Sequence, residues 1–460
     1  MSIRAEQTGM VKYAGMKQIS KLELWGGMEY TINRVKNEYF DQLSSSGHYN
    51  RPEDIDLIIA SGIKTIRYPI LWEKHQPSSL DPIDWTFTAD NLERLRNAGI
   101  NVIAGLVHHG SGPDYVNFFD DTFEDGLQAY AAAVALRFPW IEYYTPINEP
   151  LTTARFCGLY GHWYPHGKTD ACFSRILVSE CKATIKAMTA IRNVNPSAKL
   201  VQTEDLGKVY STPALQYQAD FENERRWLSF DLISGKIVPA HPLWNYLMES
   251  GVEIADLAFL NSQPIAPDIM GVNYYITSER FLDENLSLYP AGSHGGNVFQ
   301  QYADVEAVRV DIPARMSLKE LVMEAWERYR WTIAFTEVHL QCTREEQMRW
   351  LYEIWNTALS LQGENIPVVA VTVWALFGSF GWNNLLTEKG GEYESGAYIL
   401  RNNVPEPTAL LKLMKVLLTG REVRHPVLEV TGWWHSRERI LYGIRETLDQ
   451  SFPIGKVVRL

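Results

Sequence analysis

Two carboxylates, Glu149 and Glu337, carry the strongest chemical signal in this chain of 460 residues, because each closes an apolar, β-type run. Ahead of the first, Trp140-Ile141-Glu142-Tyr143-Tyr144-Thr145 has the aromatic and β-branched content of a strand, and Pro150 cannot donate to a ladder, so the strand ends at Glu149. Ahead of the second, Trp331-Thr332-Ile333-Ala334-Phe335-Thr336 repeats the arrangement. Two carboxyl groups can divide the roles of proton donor and nucleophile that cleavage of a glycosidic bond requires. They stand 188 positions apart (337 − 149), so only a fold that gathers strand ends can join them.

The rest of the chain has the organisation to do this. Strand-like segments at 22–26, 65–70, 101–107, 143–148, 199–203, 269–275, 332–336 and 368–376 alternate with helical patterns at 52–61, 89–98, 123–138, 171–194, 318–329, 343–361 and 408–418. Alternation of this kind gives a parallel sheet with crossover helices, and eight strands predict an α/β fold of the (β/α)8 TIM-barrel type. The predicted organisation is a tail over 1–20, one barrel domain over 21–420, and a C-terminal extension over 421–460, packed on the barrel or leading to another module. Residues 292–311, rich in Gly, Ser, Asn and Gln, read as an irregular loop too polar for the core, placed to wall a cleft at the C-terminal face of the strands.

Composition narrows the partners. A net charge of −12 argues against nucleic acid and against an acidic membrane surface, leaving a neutral small molecule as the expected ligand. Fifteen Trp and 23 Tyr suit stacking on pyranose rings, although filling a core is the ordinary use of such residues. Cys157, Cys172, Cys181 and Cys342 have no C-x-x-C spacing, so neither a zinc site nor a redox pair is expected; they read as reduced thiols of a cytoplasmic protein. No apolar leader core lies in the first twenty residues and no run of eighteen apolar residues follows, so neither export nor a membrane span is expected. His162 and His166 have helical metal-pair spacing, but Pro165 and the glycines at 158, 161 and 167 argue against a helix there, and no metal or cofactor is expected.

Several further segments complete a pattern: Trp25-Gly26-Gly27, Arg67-Tyr68-Pro69-Ile70-Leu71-Trp72, Leu106-Val107-His108, Asn148-Glu149-Pro150, Asn273-Tyr274-Tyr275, Thr336-Glu337 and Trp374. Taken in order, they resemble glycoside hydrolase family 1, the β-glucosidase-like retaining glycosidases, and the likeness runs over roughly 22–420. It implies that Glu337 is the nucleophile, held ionised and lowered in pKa by Arg67 and Tyr275, and that Glu149 is the acid/base, raised by burial and by the Glu337 charge. It further implies that Asn148 binds the sugar 2-hydroxyl, that His108 binds a neighbouring hydroxyl, that Trp374 floors the sugar, and that Asn273 and Trp382 belong to the substrate site. Plainer roles exist for each: Glu149 at a helix entry, Arg67 balancing internal carboxylates, His108 in the core, Tyr275 and Trp374 as packing.

The departures from the family pattern are local. Asn33 stands where the family has a sugar-binding Gln, His109 where it has Trp, Gly381 where a Glu grips the distal hydroxyls, and Val338-His339 where Asn-Gly follows the nucleophile. The bond-cleaving half is kept and the half that reads the sugar's far edge is rewritten. The expected substrate is therefore a β-linked sugar other than a simple β-glucoside, with His109, Arg34 and His339 as candidate readers and with Gly381→Glu expected not to impair glucoside hydrolysis. A transglycosylase using the same residues, an inactive sugar-binding or scaffolding protein on a glycosidase barrel, and a barrel enzyme of another carboxylate chemistry are the alternatives.

Overall fold

Strands buried on both faces need a helical layer outside them, and this requirement shapes the molecule. The computed structural model describes residues 20–78 and 82–442. Eight parallel strands, β1 (Glu23–Gly27), β2 (Thr65–Pro69), β3 (Asn101–His108), β4 (Tyr143–Asn148), β5 (Lys199–Asp205), β6 (Ile269–Asn273), β7 (Ile333–Val338) and β8 (Val368–Val373), form a closed barrel in chain order. Closure is made by β8 on β1, in the register Glu23 to Ala370 through Gly26 to Val373. All eight predicted strands are present, with no end shifted by more than three residues.

Inside the barrel, Trp25, Ile103, Val201, Ile269, Ala334 and Ala370 come from six different strands into one cluster, so the interior is filled by side chains rather than open. The main core lies between strands and helices, as alternation requires: Val102, Ala104 and Leu106 of β3 join it while Ile103 points the other way.

Helices Glu53–Ser61, Thr86–Asn97, Thr122–Arg137, Asp170–Val194, Leu318–Tyr329, Arg344–Gly363 and Ala409–Leu418 correspond to the seven helical patterns in the sequence. Their starts are chemically marked. Thr169 Oγ1 accepts the Cys172 N–H at 3.1 Å, and Ser317 and Glu320 form a reciprocal capping box. The crossover between β5 and β6, where the sequence shows no long periodic segment, is made of four short helices, Gln216–Arg225, Leu228–Ile233, Trp244–Glu249 and Ile254–Ser262.

One expectation is overturned. Residues 292–311 are not an irregular loop but hold strands His294–Gly296 and Gln301–Glu306, part of a four-stranded sheet with Arg280–Asp283 and Val209–Ser211. Strand alternation packs Ala303 and Val305 with Tyr289 and Val310, while Tyr302 packs with Leu215 and Leu282 on the other side. The polar residues that suggested a loop lie in its turns and at its exposed edge, and three well-placed apolar side chains suffice for the sheet.

Beyond the last barrel helix, residues 421–442 run over helix Arg344–Gly363. The Trp434 indole donates to Glu353 at 2.9 Å and sets its edge on Trp350 at 5.0 Å, and Arg349 Nε donates to the Val427 carbonyl at 2.8 Å. The proposed tail falls outside the described residues except for its last position, as does the extension beyond 442. Among the described residues no helix is long and apolar enough to cross a membrane.

Candidate active site

The C-terminal ends of the strands bring the sequence candidates together. Glu149 follows β4 in a left-handed conformation (φ 46°), ahead of helix Pro150–Ala154, and His109 follows β3 in the same region (φ 54°). Left-handed non-glycine residues are uncommon and concentrate at functional sites. Glu337 lies within β7, and both acids are buried, 4% and 3% exposed.

Both oxygens of the Glu337 carboxylate have a donor. Arg67 Nη1 donates to Glu337 Oε1 at 2.8 Å and to the Thr336 carbonyl at 2.8 Å, and the Tyr275 hydroxyl donates to Glu337 Oε2 at 2.5 Å. Arg67 Nη2 donates to Asn148 Oδ1 at 2.6 Å, and Thr203 Oγ1 donates to the same oxygen at 2.7 Å. The Asn148 carbonyl is thus fully engaged, and its amide nitrogen faces the His108 and His109 rings at 3.3 and 3.4 Å. On Glu149, Oε1 accepts from Asn273 Nδ2 at 2.5 Å, and Asn273 Oδ1 accepts from Thr336 at 2.6 Å. Asn273 therefore ties the acid of β4 to the strand that carries the other acid.

The protonation states follow from these surroundings. Burial foremost, then the Glu337 charge and those of Asp205 and Glu204, push the Glu149 carboxyl well above the usual carboxylate range, with the Asn273 bond pulling only weakly the other way. Glu337 is also raised, because burial outweighs the pull of Arg67 and Tyr275. The net lowering expected for Glu337 is not found; of the two acids, Glu337 has the cation and the phenol as partners, whereas Glu149 is raised well above the usual range. Burial and the nearby Arg67 hold His109 down to about 3, and His108 is likewise well below its ordinary value, so both imidazoles are neutral hydrogen-bonding groups.

The aromatic wall is built from two loops. Trp374 stacks on His108 (centroids 5.4 Å apart, 12° between planes) and lies 4.6 Å from the Arg67 guanidinium. Trp382 meets His109 edge-on at 5.7 Å. The close approach of Trp374 explains Gly27, where a Cβ would come within 2.4 Å of the indole. Asn33 is fully buried and braces the eighth-strand loop by donating to the Leu386 carbonyl at 3.1 Å.

Two candidate readers are engaged elsewhere. Arg34 stacks on Tyr164 at 4.0 Å and donates to the Lys36 carbonyl, and His339 pairs with Glu394 at 2.8 Å. His166 accepts the Lys36 N–H at 2.8 Å, and among the described residues no group of three or more His, Cys, Asp or Glu side chains is arranged to hold a metal.

Sequence reasoning missed Glu29. This residue lies two positions past β1, is 5% exposed, and accepts both indole N–H groups of the wall, from Trp374 and Trp382, each at 3.2 Å. A signal existed, since Glu29 is an acid just past an apolar strand, the same criterion that singled out the other two. Thr203, Glu204 and Asp205, at the end of β5, were missed as well.

No protein-family model matches the chain. Among solved structures it is similar to the family 1 β-glucosidase from Thermotoga maritima (TM-score 0.68, 17% identity, 87% of this chain and 98% of the other). It is also similar to the virulence factor SghA from Agrobacterium tumefaciens (0.67, 19%, 82% and 87%) and to the AHE enzyme from Alicyclobacillus herbarius (0.68, 16%, 82% and 88%). The Thermotoga enzyme has been solved with deoxynojirimycin and SghA with its substrate analog salicin. The likeness is one of fold: the closed eight-stranded barrel is shared with structural neighbours that include family 1 β-glucosidases at low sequence identity.

Proposed function

We propose that the protein is a retaining glycoside hydrolase acting on a β-glycosidic bond, with Glu337 as nucleophile and Glu149 as acid/base. The observation that carries this reading is the unequal treatment of two buried acids: Arg67 and Tyr275 each engage one oxygen of Glu337, while Glu149 accepts a neutral amide and is the more strongly raised. The likeness to glycosidase structures and the sugar-type ligands of those neighbours support it.

In the first step Glu337 attacks the anomeric carbon, the bond to the leaving oxygen breaks, and the Glu149 proton moves to that oxygen. In the second, Glu149 takes a proton from water, whose oxygen attacks the anomeric carbon and frees Glu337. An acceptor alcohol in place of that water gives transglycosylation by the same residues. His108, Asn148, Asn273, Trp374, Trp382, Asn33 and His109 form the sugar site, and the substrate is a β-glycoside other than a simple glucoside, taken up in the cytoplasm.

Truncation tests the roles. Glu337→Ala should abolish turnover of every nitrophenyl glycoside in a panel. Glu149→Ala should spare glycosylation from an activated leaving group, stall its hydrolysis, and yield a glycosyl azide when azide is added, because azide needs no general base. Equal loss in the two variants without azide product would reject the assignment.

A further inference from the structure

The carboxylate of Glu29 and the two indoles bound to it form a donor–acceptor set with an evident complement. A carboxylate only accepts and an indole N–H only donates, whereas a sugar hydroxyl does both. Glu29 Oε2 is shared by Trp374 Nε1 and Trp382 Nε1 at 3.2 Å each, the long end of the N–H···O range, while Oε1 is held by the Thr31 N–H at 3.0 Å and the Thr31 hydroxyl at 2.6 Å. One oxygen anchors the side chain to its own loop, and the other carries two stretched bonds. A hydroxyl inserted there accepts from an indole and donates to Oε2, exchanging one long bond for two short ones. The set also belongs to the site: His108 Nε2 is 4.0 Å from Glu29 Oε1, and the Glu337 charge acts on Glu29 directly.

We propose that Glu29 is a specificity-determining residue that binds a hydroxyl on the far edge of the sugar, with Trp374 and Trp382 donating to the same group. The inference rests on the glycosidase reading above. It also supplies what Gly381 lacks: a buried carboxylate reaches the aromatic wall from the first-strand loop rather than from the eighth. Burial is the largest influence on this carboxyl and takes it up to about 7, so near neutrality it serves as acceptor or as donor. A sugar hydroxyl satisfies the set in either state of Glu29, so pyranosides with a free far-edge hydroxyl are the substrate class.

The test compares Glu29→Gln with the unaltered protein on the best nitrophenyl β-glycoside of a panel and on its 3-deoxy and 4-deoxy forms. For the parent sugar, kcat/KM should fall about 10- to 100-fold, the loss of one charge-assisted hydrogen bond. For the deoxy form that lacks the bound hydroxyl it should change less than about threefold, so discrimination between the two collapses. A merely structural role predicts equal loss on parent and both deoxy sugars, and that result, or no loss at all, overturns the proposal. Trp382→Phe, which removes one indole N–H and leaves Glu29 in place, should lose discrimination at the same hydroxyl even if Glu29→Gln folds poorly; retained discrimination counts against the proposal. Labelling of Glu337 by an activated 2-fluoro glycoside, read by peptide mass, separates the two levels. Labelling with unchanged discrimination sinks the role of Glu29 alone, whereas absence of labelling in the unaltered protein removes the glycosidase reading together with it.

Discussion

At the scale of residues, the site depends on keeping two nearby carboxyls in different states. Both are raised from the ordinary 4.5, Glu149 more strongly, and the proposed roles call for an active form with Glu337 ionised and Glu149 protonated. Activity should appear as pH rises through the lower of the pair's two apparent values and vanish through the higher, with both limbs displaced upward from those of exposed carboxylates. A kcat/KM profile measures this, and an alkaline limb in the range of an exposed glutamate would contradict the role of burial. Glu337→Gln removes the largest charge acting on Glu149 while leaving it buried, so the Glu149 titration, followed by carbon NMR of its carboxyl, should move downward. An unchanged value would mean that burial alone sets it.

At the scale of elements, the eighth-strand loop changes one expectation drawn from sequence. Gly381 adopts φ 73°, and a Cβ there would meet Leu386 at 3.2 Å and Asn384 at 3.5 Å. An L-residue in this conformation costs about 1–2 kcal/mol, so Gly381→Glu does not simply restore a carboxylate to the wall; it strains the turn that carries Trp382. Both Gly381→Ala and Gly381→Glu should lower the thermal midpoint, and the Glu variant should not gain glucoside hydrolysis. Gly363→Ala is the control, because it lies at the end of helix Arg344–Gly363 with open space around its Cβ, and it should hold or slightly raise the midpoint. Equal midpoints for substitutions at 363 and 381 would show that the loop relaxes without strain.

At the scale of the whole molecule, buried acids couple stability to pH. Burial takes Glu73 and Glu204 up to about 8 and Glu29 up to about 7, each from 4.5. A raised folded value means that the native state holds protons the unfolded chain has already released, so stability falls as pH rises through 7 to 8. The buried histidines act in the opposite sense only below their ordinary value near 6.5, since His75 is held down to about 4 and His109 to about 3. Denaturation midpoints should therefore decline between about pH 6.5 and 8.5. Glu204→Gln should flatten part of that decline, because the Leu151 N–H at 2.9 Å keeps its acceptor while the ionisable group is gone. A flat or rising profile for the unaltered protein would show that these acids are hydrated more than their burial implies.

The strands and helices of the barrel were legible in the sequence because the information is local: β-branched and aromatic runs such as the one closed by Pro150, alternating with helical patterns. The acids of β4 and β7 were legible for the same reason, each following an apolar run. Tertiary structure decided the rest. Three residues, Tyr302, Ala303 and Val305, made a sheet of a stretch whose composition says loop, because a strand is stabilised by the surfaces it meets and not by its own residues. Glu337 is raised despite Arg67 and Tyr275, because the depth of burial is set by every element around it. Glu29 became part of the site only when the closed barrel laid β1 beside β8, bringing Trp374 and Trp382 within 3.2 Å of a carboxylate more than 340 positions earlier in the chain. Sequence fixes which groups can do chemistry, and barrel closure selects which of them share one site.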